Sequence, residues 1–303
     1  MANTTPLESE PTAPRLSVPE QVMAFTKTIV SSKAFWPGLI AALGVTALFW
    51  TLFRNLLDLW DSEDGYFSHG FLVPIISIFI IYRWWPRLKT IPVKPGWVAL
   101  IPLAGLLVLT RAAFAADILL ILSICLMMVI LATIWLVAGW RWMVALSLPV
   151  LYLGFALPLW TFAIDVYTNP LQILSTKASF QMLQLAGFQP FMDTGTTTIY
   201  LNNFVLDVGV PCSGLKLIVA VTAFTVFFVL IGGLRWWANL VMFAVILPLC
   251  IFINGLRIAL IGLVGENYGH DAGMAFHDYS GYITLVICFF ILFKIARGLG
   301  WKD

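Results

Sequence analysis

The chain has 303 residues, of which 61% are apolar and 11% charged, with a mean hydropathy of +0.95. Soluble domains run at about 45–50% apolar and about 25% charged, so a soluble fold is excluded and the sequence reads as an integral membrane protein. With 17 basic and 15 acidic residues (net charge +2) there is no polycationic surface for nucleic acid, and four scattered cysteines without a Cys/His cluster argue against a disulfide framework or a metal. No cofactor is expected either.

Residues 1–33, rich in Thr, Pro, Ser and Glu, read as a disordered cytoplasmic tail. The membrane domain is expected over residues 34–298, with 299–303 as a second short tail. The first apolar run starts late and lacks a small-residue cleavage site, so it is expected to stay as a signal anchor. The apolar runs are continuous rather than alternating, which predicts helices and not a barrel. Eight spans follow: Ala34–Phe53, Tyr66–Tyr82, Pro95–Thr110, Ile118–Trp140, Trp142–Ile164, Leu217–Leu234, Trp236–Leu256 or slightly beyond, and Tyr279–Phe293. At ~1.5 Å per residue most cross a core of about 30 Å; the second, third and eighth are short and need flanking residues or snorkelling cations.

Orientation follows the basic residues, which concentrate in short cytoplasmic loops. An inside N-terminus places Arg83, Arg87, Lys89, Lys94, Arg141, Arg235, Lys294 and Arg297 in the cytoplasm, and the acidic run Asp58, Asp61, Glu63 and Asp64 outside. Both termini are then cytoplasmic. One external segment, 161–211, is long enough for structure of its own: an amphipathic stretch, Asp165–Phe188, expected along the membrane interface, then a small β-hairpin from Thr196–Leu201 and Phe204–Val208. Asn202-Asn203 at its tip is a pair able to take positive φ. The fold class is therefore an all-α polytopic membrane protein with an external helix and hairpin.

This topology brings three chemically capable residues to the outer face. Cys212 opens span six, Arg257 stands roughly 31 Å above Trp236, and His277 precedes span eight. Each has a plainer reading. Cys212 is either a small residue at a helix end or a thiol activated by the helix N-terminus and by Lys216 at i+4. Arg257 is either an interfacial snorkeller or, because it is embedded in the apolar run Ile251–Val264, a functional charge. His277 and His270 are not separable by physics alone, and Asp278 or Asp271 is available to either.

Four segments carry a resemblance: Tyr66-Phe67-Ser68-His69-Gly70-Phe71-Leu72-Val73-Pro74, Pro211-Cys212-Ser213-Gly214-Leu215-Lys216, Asn254-Gly255-Leu256-Arg257-Ile258, and His277 with Gly281-Tyr282. Together they resemble the exosortase family of the exosortase/archaeosortase class, over about Ala34 to Arg297. The resemblance implies a membrane-embedded cysteine peptidase or transpeptidase in the plasma (inner) membrane of a prokaryote. Such an enzyme recognises exported proteins by a C-terminal Pro-Glu-Pro type motif, a membrane span and a basic tail. It cuts them on the periplasmic or outer face and passes them to a surface acceptor. The family's catalytic positions carry over onto Cys212, Arg257 and His277, and the same segments put Lys216, His69, Ser213 and Asn254 beside the substrate. Lys216 stands where the family often has Arg, and Tyr282 where it often has Trp. The partners implied are membrane lipid, these exported proteins and a surface acceptor of unknown identity, with no nucleic acid.

A reading from another class is a non-enzymatic transporter or polysaccharide-export component with Arg257 and Lys216 on a polar path. Against it stand the absence of an internal repeat and the few polar residues in the other spans. A second enzymatic reading, an intramembrane metalloprotease, is disfavoured because the sequence has no HExxH.

Overall fold

The computed structural model describes residues 23, 26, 30–32, 34–62, 66–193 and 195–301. The expected N-terminal tail therefore lies almost wholly outside the described residues. Helices α1 (Phe35–Leu48) and α2 (Trp50–Asp61) are followed by α3 (Leu72–Leu88), α4 (Leu100–Ala115), α5 (Leu119–Ala138) and α6 (Trp140–Tyr152). Then come α7 (Thr161–Leu185), β1 (Thr198–Tyr200), β2 (Val205–Asp207), α8 (Leu215–Gly232), α9 (Trp236–Tyr268) and α10 (His270–Gly298). The protein is an all-α polytopic membrane protein: six helices are long and apolar enough to cross a bilayer, and up to eight if each of two bent pairs counts as one span.

Both bent pairs fall where a single straight span was expected. α1 and α2 meet at 70° around Phe49, so the first expected span turns before its end. α2 then runs with Leu52 and Leu56 buried and Trp50 and Leu57 exposed. The segment Trp140–Phe155 likewise meets Pro158–Leu185 at 70°. Here the cause is local: Leu157 precedes Pro158 and is driven to extended backbone (φ −102, ψ 150), which no α-helix continues through.

The expected amphipathic stretch is helix α7, but its inner face is not apolar. Ser175, Thr176 and Ser179 are buried with Leu183, and α7 packs along α9. Contact is close enough that a Cβ on Gly255 would stand 2.9 Å from the Cβ of Ala178. Small residues at a helix crossing let two backbones approach, which is how membrane helices associate without a hydrophobic driving force.

The last two spans run longer than the apolar count allowed. α9 has 33 residues, about 50 Å at ~1.5 Å per residue, and α10 has 29. The stretch Glu266 to Asp271, which the expected spans seven and eight leave between them, is the end of one helix and the start of the next, reversed at Gly269 alone (φ +90). His270 and His277 accordingly stand on α10 rather than before it.

β1 and β2 pair antiparallel, with Ile199 opposite Leu206, and both of these side chains are buried on the helices beneath. Asn202 and Asn203 do not take positive φ; among the described non-glycine residues only Asp117 does. Glu266 of α9 holds the tip instead: the Asn203 backbone N–H donates to Glu266 Oε2 (2.8 Å) and its side-chain amide to Oε1 (3.2 Å). At the opposite end of the bundle, Trp301 packs on Phe228 and Phe293, so the expected C-terminal tail is bound to the core at least that far.

Candidate active site

Cys212 sits in a tight turn between β2 and α8. Val210–Cys212 forms a 3₁₀ turn, with the Cys212 N–H donating to Gly209 C=O, and Gly214 then adopts left-handed backbone (φ +86) before α8 begins at Leu215. Only glycine fits there, because a Cβ would meet the Asn254 amide at 2.9 Å. The left-handed step also breaks the helical register between Cys212 and Lys216. Cys212 and Lys216 therefore do not share one continuous helical turn, and Lys216 lies within electrostatic range of His69.

Two helices clamp this turn from below. From α9 the Asn254 amide donates to Cys212 C=O (2.8 Å) and to Ser175 Oγ (3.0 Å), and from α7 the Ser175 hydroxyl donates to Ser213 C=O (3.2 Å). One turn earlier on α7, the Gln172 amide donates to Val208 C=O. Asn254 (2% exposed) and Ser175 (1%) are buried, where a satisfied polar network fixes a single backbone geometry and a half-satisfied one would be costly.

The thiol faces α10. Cys212 Sγ lies 3.0 Å from His277 Nε2, and His277 Nδ1 lies 3.2 Å from Asp278 Oδ1. With Nδ1–H donating to the carboxylate, Nε2 is left to accept the thiol proton, a tautomer assigned from the network. Asp278 is largely exposed, so its contribution is orientation more than charge.

Arg257, one turn above Asn254 on α9, reaches across to the α10 turn that carries the histidine. Its Nε donates to Ser280 Oγ (2.9 Å) and its Nη2 to His277 C=O (3.3 Å), while the Ser280 hydroxyl donates to the same carbonyl (3.0 Å). Arg257 is thus no free snorkeller: two of the five N–H groups of a guanidinium are engaged on α10.

A cleft of about 310 Å³ opens over the thiol. The chain from Phe204 to Gly209 forms one wall, Ile258 and Ile261 of α9 the base, and His270, Met274 and His277 of α10 the other wall, with Cys212 and Pro211 at the end. The structure therefore brings Cys212, His277 and Arg257 into one connected group. His270 lines the same cleft, but its ring lies against Phe204 (centroids 5.9 Å) rather than on the thiol.

The four residues expected to contact substrate are placed differently. Ser213 (1% exposed) and Asn254 lie under the turn, and neither walls the cleft. His69 (6% exposed) is bonded through Nε2 to Phe155 C=O (3.1 Å) beside the break between α6 and α7. Lys216 is likewise absent from the cleft walls. Sequence reasoning missed Ser280, Ser175 and Gln172, lone polar residues whose partners are far away in the chain.

A polytopic helical membrane protein with a cysteine and a histidine paired at the end of the bundle defines the class. A family model for transmembrane exosortases matches residues 60–294, and the chain belongs to that family. No curated protein and no solved structure matches the chain.

Proposed function

We propose that the protein is a membrane-embedded cysteine peptidase or transpeptidase. It cleaves exported proteins at a C-terminal sorting signal, a short motif of Pro-Glu-Pro type followed by a membrane span and a basic tail, on the outer face of the plasma membrane of a prokaryote. The observation that supports this reading best is the chain of contacts from Cys212 through His277 to Asp278 at the end of an open cleft. His277 takes the thiol proton, and the Cys212 thiolate attacks the scissile carbonyl. Collapse of the tetrahedral adduct breaks the C–N bond, His277 returns the proton to the leaving amine, and a thioester remains on Cys212. An amine or hydroxyl of a surface acceptor, or water, then attacks the thioester and frees the thiol. Arg257 holds the α10 turn in register, and its remaining N–H groups stabilise the oxyanion. Asn254 and Ser175 act one step back, fixing the nucleophile turn, and substrate contact falls to the residues that line the cleft.

The test is to trap the acyl intermediate. Rapid denaturation of the working enzyme followed by mass spectrometry is expected to show Cys212 carrying the C-terminal residue of the processed protein in a linkage released by hydroxylamine. An acylated residue other than Cys212, or processing with no acyl adduct, overturns the reading.

Arg257→Lys separates a structural cation from a directed guanidinium. Lysine keeps the charge but has no planar fork to span Ser280 and His277 C=O, so processing is expected to fall at least about 10²-fold, as for loss of an oxyanion donor. Processing at the wild-type rate would make Arg257 an interfacial anchor only.

A further inference from the structure

The hairpin beside the thiol is an incomplete sheet. Among the described residues it has two strands, and the one additional bridge, Phe191 with Tyr200, lies on β1. In an antiparallel ladder, H-bonded pairs alternate with pairs whose backbone groups point away from the partner strand. Leu201 N–H donates to Phe204 C=O and Val208 N–H to Thr197 C=O, which makes Ile199 with Leu206 the H-bonded pair between them. The N–H and C=O of Val205 and the N–H of Asp207 therefore point outward, away from β1; the Asp207 C=O is taken by Gly209 N–H (3.1 Å). The chain that carries these open groups is the same one that walls the cleft, and it runs without interruption into Cys212.

An unpaired edge is normally blunted by a short strand, a charge, a proline or a covering element. Here the edge strand Val205-Leu206-Asp207 is short, but its one charge, Asp207, is turned to β1, where it accepts from the Thr198 hydroxyl (3.1 Å); there is no proline, and what borders the edge is the cleft. We propose that an extended segment of the protein substrate adds to β2 as a third strand and that this pairing delivers the scissile bond to Cys212. The inference rests on the peptidase reading above. A third strand would lie about 4.8 Å from β2, with alternate side chains over the apolar base at Ile258 and Ile261 and the others facing outward beside Val205. Affinity then comes from main-chain hydrogen bonds, which are indifferent to side-chain identity, and selectivity from the alternate positions. The hairpin is anchored to α9 at Glu266 and packs on α10 through Phe204 and His270, so the added strand and the histidine keep one geometry.

The experiment uses proline as a probe of single N–H groups, because proline at an edge position removes a donor while sparing the ladder on the other side. The reporter is an exported domain followed by a short motif, an apolar span and a basic tail, whose shortening is followed in intact cells. Val205→Pro removes a donor from the cleft edge of β2; Thr198→Pro removes one from β1, on the far side of the sheet, and Thr198→Val accounts separately for the Thr198 hydroxyl, which donates to Asp207 Oδ1 (3.1 Å). Labelling of Cys212 by a small membrane-impermeant maleimide checks that both proline variants keep the site. Expected is a loss of processing of about ten-fold or more in Val205→Pro, with Thr198→Pro processed at close to the wild-type rate and both labelled normally. Processing of Val205→Pro at the wild-type rate, or equal losses in the two variants, overturns strand addition. Cys212→Ala in the same assay keeps the two questions apart: if it still processes the reporter, the peptidase reading falls and the inference with it. If it does not, a failed Val205 result removes strand addition alone.

Discussion

Cys212→Ala is expected to leave the protein in the membrane and to reduce substrate processing by about 10⁴-fold or more, the scale on which removal of a covalent nucleophile acts. Cys212→Ser should behave almost the same, although it restores a hydroxyl close to the size of the thiol. Serine would still face His277 Nε2, but a hydroxyl is far less acidic than a thiol, and this histidine is supported only by the exposed carboxylate of Asp278. The other three cysteines provide the contrast. Cys125, Cys250 and Cys288 are buried among helix side chains in the cores of the bundle, and their replacement by alanine costs packing without touching the cleft. Processing measured in membranes after matching protein amounts checks all five variants. Retained processing in Cys212→Ala removes the enzyme.

The second large effect concerns the two histidines of α10. His277→Ala is expected to lower thioester formation by about 10²–10⁴-fold, the usual scale for a general acid–base group, whereas His270→Ala should change it by no more than a few-fold. Both stand on one helix and both line the cleft, but only His277 has its ring nitrogen 3.0 Å from the thiol. His270 is turned to Phe204, where its role is packing against the hairpin. Single-turnover accumulation of acyl-enzyme separates the two, and the reverse result, His270 essential and His277 dispensable, would move the proton-transfer role to His270.

The membrane architecture was legible because apolar runs report it without knowledge of the partner helix. Its errors fall where a local rule was overridden at a distance. Span seven was expected to end at Leu256 or slightly beyond, but the Arg257 guanidinium is satisfied by Ser280 and His277 on the neighbouring helix, and α9 continues to Tyr268. The break at Pro158 did carry a local signal, a residue constrained by the following proline, that a count of apolar residues passes over. Cys212, Arg257 and His277 were separable from plainer readings only through the motifs that contain them. The clamps around them were not legible at all: Ser280 lies 23 positions from Arg257 and Ser175 lies 79 from Asn254, and no periodicity links such pairs. The left-handed Gly214 was equally invisible: helical spacing counted from Cys212 to Lys216 assumes one continuous helix, whereas α8 begins only at Leu215.

The reversal at Gly269 leaves no slack between α9 and α10. Arg257 and His277 lie on two rigid rods joined by a single residue, so the chain between them behaves like a gear train in which tooth number matters. Each residue added to the first turns of α10 would advance His277 by about 1.5 Å and rotate it by about 100° around the helix, out of reach of the thiol. A flexible loop between the two helices, by contrast, would absorb an extra residue. The length of the segment from Arg257 to His277 is thus itself a specification of the site, as binding as the identity of the residues at its ends.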